Sequence, residues 1–491
     1  MSEPRPRLRR NDLPFERIAV VLSGGGALGA YEVGVLRALE TAGLRPSILA
    51  GVSVGAVNAV LWLANGFRTS PLEQVWATLR PSSVGLRWAS LVVRALGVFI
   101  MAFAALQIVL MIAGSPELSP RILFPGSAES RSEFGTAVLD VLAWLLVLLV
   151  GVAVARGSRG AEDSLARFSP PRDPHRLHRW AGWGLLIAAV LHLTAWVSGI
   201  PWPQRFSALL LLVGVALWVA NRPGQTSDRL RQLFLRLLPD TGGRGLWSSA
   251  ARRRIIQRVV EAGDPGALVG GETHLIISAL AIESGQMGYF VNWPDPSDAF
   301  RARITQAVGQ VTPLSTPEDV IEAAVASSAI PAVFEPVRIG DGEFLDGGVF
   351  TNQPLHAVLA DGADAILIVI VAPSGGPPKN EREPNLFQMG ARLLEIANWR
   401  DLQTELRALP EAWAAGDAAG PGAPPARVCV IEPASVLPGG LYGFSPANAA
   451  ELRRRGEWDA WEALARAGWL DEAEMGPVEP LPPAPSGARH S

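Results

Sequence analysis

The sequence is poor in cysteine and in lysine, with one of each, Cys429 and Lys379, in 491 residues. A single cysteine excludes an intramolecular disulfide and is typical of a reducing compartment. Its apolar neighbours at 427–431 predict that it lies in a buried strand. Nearly all the basic charge is therefore arginine, and the arginines are dispersed around apolar segments. We do not expect the protein to bind nucleic acid.

Charge of either sign is scarce as well. Only 18% of the residues are charged, the mean hydropathy is +0.23 and the net charge is -3. These averages are apolar for a soluble protein, and they predict a soluble part joined to a membrane part. The basic residues 1–11 are followed by acidic residues and not by an apolar cleavable core, so we expect no signal peptide.

Four long apolar segments follow the first 85 residues, at 95–113, 137–155, 181–200 and 207–220. The first three approach the length of about 20 residues that crosses a bilayer as a helix, while the fourth is shorter. Tryptophans lie near the ends of the last two segments, as interfacial aromatic residues do. The sequence therefore predicts an inserted bundle of about four transmembrane helices. The alternative is a buried helical subdomain.

The arginines predict how this bundle is oriented. They are frequent at 156–179 and 222–236, whereas the connections at 114–136 and 201–206 contain few. The positive-inside rule then places both termini in the cytoplasm. We expect a multi-pass membrane protein whose lipid-bilayer anchor holds the catalytic domain on the cytoplasmic side.

An α/β pattern surrounds the insertion. Strand 17–22, a glycine loop, helix 29–42, strand 47–50 and helix 54–65 form two successive units of a parallel sheet. Both loops would lie at the carboxyl edge of that sheet, where ligands bind in such folds. The pattern resumes at 274, after an arginine-rich amphipathic region at 229–262. That region could lie on the membrane surface or pack as a helix on the catalytic domain.

The predicted domain boundaries follow from these changes in composition. They are a first catalytic part at 1–85, a transmembrane insertion at 86–225, a basic amphipathic connector at 226–270, a second catalytic part at 271–475 and a proline-rich tail at 476–491 that we expect to be disordered.

Ser53 is the candidate nucleophile, because Gly51-Val-Ser-Val-Gly55 places it on a tight turn between a strand and a helix. Such a turn lifts the hydroxyl clear of the sheet. None of the six histidines lies in a loop that an obvious triad would use, and His356 is the nearest candidate. A carboxylate base is the alternative, and Asp346, followed by two glycines, is the best one. Taken alone, Asp346 also fits a plain Asp-Gly turn.

Gly24, Gly25 and Gly26 follow the first strand and offer unobstructed backbone N–H groups for an oxyanion or a phosphate. With Gly29 they also match the dinucleotide-binding fingerprint. That fingerprint expects an acidic residue at the end of the second strand, and the sequence has none there. Nucleotide binding is therefore disfavoured.

Together, Gly24-Gly-Gly-Ala-Leu-Gly29, Gly51-Val-Ser-Val-Gly55 and Asp346-Gly-Gly348 resemble the three ordered signatures of patatin-like phospholipases. The resemblance covers about 17–65 and 270–375. It implies a three-layer α/β/α fold and a Ser-Asp dyad that hydrolyses acyl esters of membrane phospholipids or lysophospholipids, with no cofactor or metal. Ser53 would be the nucleophile, Asp346 the general base, and the N–H groups of Gly24 to Gly26 the oxyanion hole.

Leu28 departs from the family pattern, which often has arginine or lysine at that position, so a phosphate contact there is not expected. Three alternatives to a hydrolase stay open. They are an acyltransferase that uses the same dyad, a non-catalytic membrane scaffold or transporter, and a nucleotide-dependent reductase.

Overall fold

A computed structural model describes residues 13–114, six positions between 145 and 152, 244–374 except 308, 386–407, three positions at 409, 410 and 413, and 425–470. The chain divides into two compact units. The first joins Met1–Gly85 to Ser248–Ser491, and the second is Leu86–Trp247.

The first unit is built on a mixed sheet of nine strands, in the order β5-β4-β3-β2-β1-β8-β9, with β7 on β3 and β6 on β7. The strands are β1 (Ile18–Leu22), β2 (Ile48–Val52), β3 (His274–Ala281), β4 (Met287–Val291), β5 (Gly309–Pro313), β6 (Val337–Ile339), β7 (Gly342–Asp346), β8 (Ala365–Val369) and β9 (Val428–Ile431). The central pairs are parallel, whereas β4 and β7 both run antiparallel to β3.

Helices of the first unit cover both faces of the sheet. The described helices are α1 (Gly29–Ala42), α2 (Val54–Ala64), α3 (Ser70–Thr78), α4 (Trp88–Gly114), α5 (Ala250–Ala262), α6 (Asp298–Gln306), α7 (Pro317–Ser327), α8 (Leu355–Ala360), α9 (Leu386–Arg407) and α10 (Pro446–Arg466). Of these, α4 belongs to the second unit. In β1, Ala19 and Val21 belong to one buried cluster with residues of α6, α8 and α9. Successive strand residues point to opposite faces, so Val20 and Leu22 face the other helix layer. The result is the predicted three-layer α/β/α arrangement.

Most of the predicted elements are confirmed to within two residues at each end. Helix 29–42 is α1 and helix 54–65 is α2, and the α/β pattern resumes at 274 as predicted, with β3. Thr316 begins α7 with a capping box, in which its hydroxyl accepts from Asp319 N–H and the Asp319 carboxylate accepts from Thr316 N–H. The predicted elements did not include α3, α6 or α10.

The structure describes part of the amphipathic region that precedes residue 274. Of the two alternatives for 229–262, the described part packs as a helix on the catalytic domain, since α5 contacts α2 and α7. Its apolar residues Ile256 and Val260 are buried within the first unit. The part of the predicted connector before 244 lies outside the described residues.

The second unit is described chiefly by α4, which contains the first predicted membrane segment, 95–113. The segment is therefore helical. However, none of the helices within the described ranges is both long and apolar enough to cross a membrane. Only six positions of the second segment are described, and the third and fourth segments lie outside the described residues.

Candidate active site

Ser53 lies at the abrupt turn between β2 and α2. Its backbone has φ 55° and ψ -126°, a conformation that a residue with a side chain rarely adopts. Two glycines make the turn possible. A Cβ at Gly55 would lie 2.5 Å from the carbonyl oxygen of Leu22, and one at Gly51 would lie 2.6 Å from Ala56 N. The turn therefore sits directly against β1, and it presents Ser53 at the carboxyl edge of the sheet.

The register of β3 brings Asp346 to this turn. Along one edge of β3, His274 to Ser278 pair with β2, and Ala279 to Ala281 pair with β7. The other edge is occupied by β4. β7 therefore continues beyond the end of β2, and the last residues of both strands, Val52 and Asp346, oppose adjacent residues of β3. The two strands meet end to end at the site.

The two candidate side chains are in direct contact. Ser53 Oγ donates a hydrogen bond of 2.6 Å to Asp346 Oδ2, and both residues are buried, at 6% and 4% exposed. Asp346 Oδ1 accepts from Gly348 N–H at 2.8 Å. Ser53 N–H donates to Ser327 Oγ, which in turn donates to the carbonyl oxygen of Ser278. Both members of the pair are thus held by further hydrogen bonds.

Burial raises the pKa of Asp346 to about 6. The hydrogen bonds from Ser53 and Gly348, and the positive charge of Arg252, each oppose this rise. A carboxylate with a pKa near 6 is ionised at neutral pH, and it is a stronger base than an exposed aspartate. The environment therefore suits a group that must take a proton from a hydroxyl.

Arg252 was missed in the sequence because it lies in the arginine-rich region, where nothing distinguishes it from its neighbours. It lies on α5, is 8% exposed, and has its guanidinium 3.4 Å from the centre of the Phe334 ring. Its hydrogen bonds go to Ser328 and Ser249. Burial lowers its pKa to about 9, and the nearby negative charge of Asp346 opposes that shift. Arg252 thus supplies positive charge near Asp346, and it has no direct carboxylate partner among the residues that the structure describes.

The glycine loop lies beside Ser53. A Cβ at Gly24 would be 3.6 Å from Ser53 Oγ, so this backbone passes close to the hydroxyl. Gly24 N–H donates to Asn352 Oδ1 at 2.9 Å and is therefore not free. Within the part of the chain that the structure describes, the N–H groups of Gly25 and Gly26 have no acceptor. An oxyanion hole in this conformation therefore rests on Gly25 and Gly26.

The other sequence candidates lie elsewhere. His356 Nδ1 contacts Glu405 at 3.2 Å, and its ring stands edge-on to Tyr289. Cys429 is buried in β9, as predicted, and burial raises the pKa of its thiol to about 12. In the described ranges, no group of three or more histidine, cysteine or acidic residues could hold a metal ion.

A family model described as patatin-like phospholipase matches residues 20–359. The match spans more than half of the chain and includes both members of the dyad. The chain belongs to the patatin-like phospholipase family. This membership makes it an enzyme of the lipid acyl hydrolase class.

Among curated proteins, the chain is similar to the neuropathy target esterase sws of Drosophila melanogaster, with 47% identity over 45 residues, and to that of Drosophila sechellia, with 44% identity over 48 residues. These stretches are 9% and 10% of this chain and only 3% of each relative. Among solved structures, VipD from Legionella pneumophila matches with a TM-score of 0.32 and 15% identity, over 95% of this chain and 71% of that one. A similarity this weak adds nothing to the argument.

Proposed function

We propose that this patatin-like enzyme hydrolyses acyl esters of membrane phospholipids or lysophospholipids with Ser53 as nucleophile and Asp346 as general base. The observation that carries the proposal is the 2.6 Å hydrogen bond from Ser53 Oγ to Asp346 Oδ2. Two residues that are 293 positions apart in the chain meet at a distance suited to proton transfer. A non-catalytic scaffold would have no need of this contact.

In the proposed reaction, Asp346 accepts the Ser53 proton while Ser53 Oγ attacks the ester carbonyl. The tetrahedral intermediate then collapses, its C–O bond to the alcohol breaks, and the proton leaves with the alcohol. Water cleaves the resulting acyl-enzyme by the same steps and restores Ser53. The unbonded N–H groups of Gly25 and Gly26 are suited to bind the negative oxygen of each intermediate. Gly24 would join them if its bond to Asn352 opened.

A lipid substrate is supported by apolar side chains that remain exposed near the dyad. Tyr442 is one of these exposed side chains. Its partial burial raises its pKa and the charge of Asp346 raises it further, so the phenol lies within electrostatic reach of the carboxylate. Phe350 follows Asp346 by four residues and is 60% exposed, and Leu441 is exposed as well. Apolar residues at the rim of an active site favour contact with a lipid aggregate.

Membrane anchoring by the 86–225 insertion, with the catalytic unit on the cytoplasmic side, is part of the same proposal. Its support is the apolar composition of the four segments and the distribution of arginine between them. Extraction of membranes with alkaline carbonate tests it. The full chain should stay in the membrane pellet, whereas release into the supernatant would contradict the anchor.

Labelling of the detergent-purified full chain with a fluorophosphonate tests the dyad. We expect the wild type to be labelled and to release fatty acid from phospholipid, and Ser53→Ala to do neither. Ser327→Ala, which removes a hydroxyl bonded to the Ser53 backbone N–H and not to Ser53 Oγ, should retain labelling. Ser53→Ala with wild-type hydrolysis would contradict the assignment. Transfer of the acyl group to an added lipid alcohol, in place of fatty acid release, would favour the acyltransferase.

A further inference from the structure

The glycine loop after β1 must keep one shape if it is to bind an oxyanion. Glycine has more backbone freedom than any other residue, and the loop has three in a row, Gly24 to Gly26. An oxyanion hole acts through donors that are already aimed at the developing charge. The peptide groups of this loop therefore need contacts from outside the loop to fix their orientation.

The amide group of Asn352 makes such a contact at the start of the loop. Its Oδ1 accepts a hydrogen bond of 2.9 Å from Gly24 N–H, and its Nδ2 donates a longer one, of 3.4 Å, to the Gly24 carbonyl oxygen. One side chain thus pairs with both polar groups of one residue, as a residue of a paired antiparallel strand does. The pairing fixes the peptide groups on both sides of Gly24.

The second of these bonds acts on a donor of the oxyanion hole. The Gly24 carbonyl and Gly25 N–H belong to one peptide group, which is planar and trans, so the two point in opposite directions. Because the carbonyl is turned toward Asn352, the Gly25 N–H is turned away from it. This N–H has no acceptor in the described part of the chain. Asn352 therefore sets the direction of a donor that it does not itself occupy.

The other end of the loop is fixed through backbone atoms. Ala27 N–H donates to the carbonyl oxygen of Leu441 at 2.8 Å, and a Cβ on Gly26 would collide with that oxygen. A substitution of the Leu441 side chain leaves this bond in place. The contact made by Asn352 is one that a substitution can remove.

Asn352 also lies against the turn that carries the base. Its Oδ1 is 2.9 Å from the position of a Cβ on Gly348, and Gly348 N–H donates to Asp346 Oδ1 at 2.8 Å. The backbone N–H of Asn352 donates to Asp401 Oδ2 on α9 at 3.3 Å. The side chain that orients the glycine loop is thus placed by the same segment that places Asp346.

We infer that Asn352 is a positioning residue of the oxyanion hole, whose amide group holds Gly25 N–H toward the carbonyl oxygen of the bound ester. The inference rests on the proposed function, since it assigns the glycine loop to the Ser53 reaction. The opposite effect is also conceivable on this geometry. If the bond to Asn352 only kept Gly24 N–H out of the hole, its removal would add a donor and raise kcat.

The test replaces the amide group by an apolar group of similar size, in Asn352→Leu, and uses nitrophenyl decanoate with the detergent-purified full chain. A misplacement of 1 Å costs about 100-fold in rate, so we expect kcat to fall about 10-fold to 100-fold while KM stays within about twofold. The end point of fluorophosphonate labelling counts the active sites. A fraction of unfolded protein therefore does not lower the kcat per site.

A transition-state analogue separates this role from a structural one. Ser53 Oγ adds to the carbonyl carbon of an alkyl trifluoromethyl ketone, Asp346 takes the proton, and the former carbonyl oxygen becomes an anion in the oxyanion hole. The inhibition constant of this ketone should rise by about the factor by which kcat falls. That of the methyl ketone of equal length, which stays a ketone, should change by less than about twofold.

Gln403→Leu is the matched control. Gln403 is also an amide residue that donates to a backbone carbonyl oxygen, but its bond goes to Ser374 and not to the glycine loop. It should leave kcat and both inhibition constants unchanged. If Asn352→Leu fails to fold, Asn352→Ser makes the same comparison, because the shorter side chain does not reach Gly24.

An unchanged or higher kcat in Asn352→Leu would overturn the inference, and so would an equal loss in Gln403→Leu. An equal rise of both inhibition constants would also overturn it, since Asn352 would then bind the chain of the ligand. Each of these results leaves the proposed function standing as long as hydrolysis depends on Ser53. Absence of any hydrolysis that depends on Ser53 in the wild type would instead overturn the proposed function, and the inference with it.

Discussion

Two buried carboxyl groups in the first unit have different surroundings. Asp346, at the sheet edge, accepts hydrogen bonds from Ser53 and Gly348 and lies within the field of Arg252. Glu32, on α1 in the helix layer, accepts one bond of 2.8 Å from Asn58 Nδ2, and its Oε1 has no donor among the described residues. Both are buried, yet burial raises the pKa of Glu32 well above its usual range and that of Asp346 only to about 6.

The difference shows what a buried base requires. Burial alone favours the protonated acid, which is the state that the surroundings of Glu32 stabilise. Donors and a nearby cation recover the charged form, and only Asp346 has both. A buried acidic residue is therefore no evidence of a base until the groups that face its oxygens are known.

The largest expected contrast is between Asp346→Asn and Glu32→Gln. Each replaces a buried carboxyl by an amide of the same shape. Loss of a general base costs about 10² to 10⁴ in rate, so Asp346→Asn should lose that much kcat. Glu32→Gln keeps an acceptor for Asn58. Its kcat should stay within about twofold of the wild-type value, because Glu32 takes no part in the proposed reaction. Ester hydrolysis at neutral pH measures both. Comparable losses of kcat in the two variants would contradict the assignment of Asp346, and not Glu32, as the base.

Glu32→Leu should act on stability instead of chemistry. Asn58 would lose one acceptor in a buried site, which costs about 1 to 3 kcal/mol of the free energy of unfolding. Asn58 also donates to the carbonyl oxygen of Gly29, so the variant removes only one of the two acceptors of its amide group. The thermal midpoint of the purified protein should fall, while kcat per labelled active site is unchanged. A large fall in kcat with an unchanged midpoint would assign Glu32 to the reaction.

Ser327→Ala should weaken the support of the dyad. Its hydroxyl accepts from Ser53 N–H at 2.8 Å and holds the turn in its rare backbone conformation. The loss of one such bond is worth about 0.5 to 1.5 kcal/mol, so we expect kcat to fall about 2-fold to 12-fold with KM little changed. Ser284→Ala, on an exposed turn, is the control. An unchanged kcat would show that the turn does not depend on this bond.

The smallest change of kcat/KM at neutral pH is expected from Arg252→Met, which removes the positive charge near Asp346. Wild-type kcat/KM should fall as the pH drops below about 6, because protonated Asp346 cannot accept the proton of Ser53. Arg252→Met removes a cation that favours the carboxylate, so the pKa rises and this acid limb moves to higher pH.

Arg253→Met is the matched control for that profile, because Arg253 is the next residue on α5 and pairs with Glu322 instead. Its acid limb should coincide with that of the wild type. A limb that stays in place in Arg252→Met would show that Arg252 does not act on Asp346.

The sequence alone predicted the local features that depend on neighbouring residues. Apolar runs and glycine turns identified β1, α1, β2 and α2, and the Gly-x-Ser-x-Gly pattern marked the turn at Ser53, because a strand, a sharp turn and a helix are each specified within a few residues. The three ordered motifs then indicated the family and the partnership of Ser53 with Asp346. The transmembrane insertion, its orientation and the predicted domain boundaries also came from composition, and they remain predictions.

Only the tertiary structure decided the properties of the site. The antiparallel pairing of β7 beyond the end of β2, which brings Asp346 to 2.6 Å from Ser53, depends on strand register across 293 residues of chain. The positions of Arg252 and Asn352 depend on how α5 and the loop after β7 pack, and neither residue stands out in the sequence. The pKa of a side chain depends on its burial, on nearby charges and on its hydrogen-bond partners. The residues that supply them come from distant parts of the chain, so the sequence around the group does not reveal them.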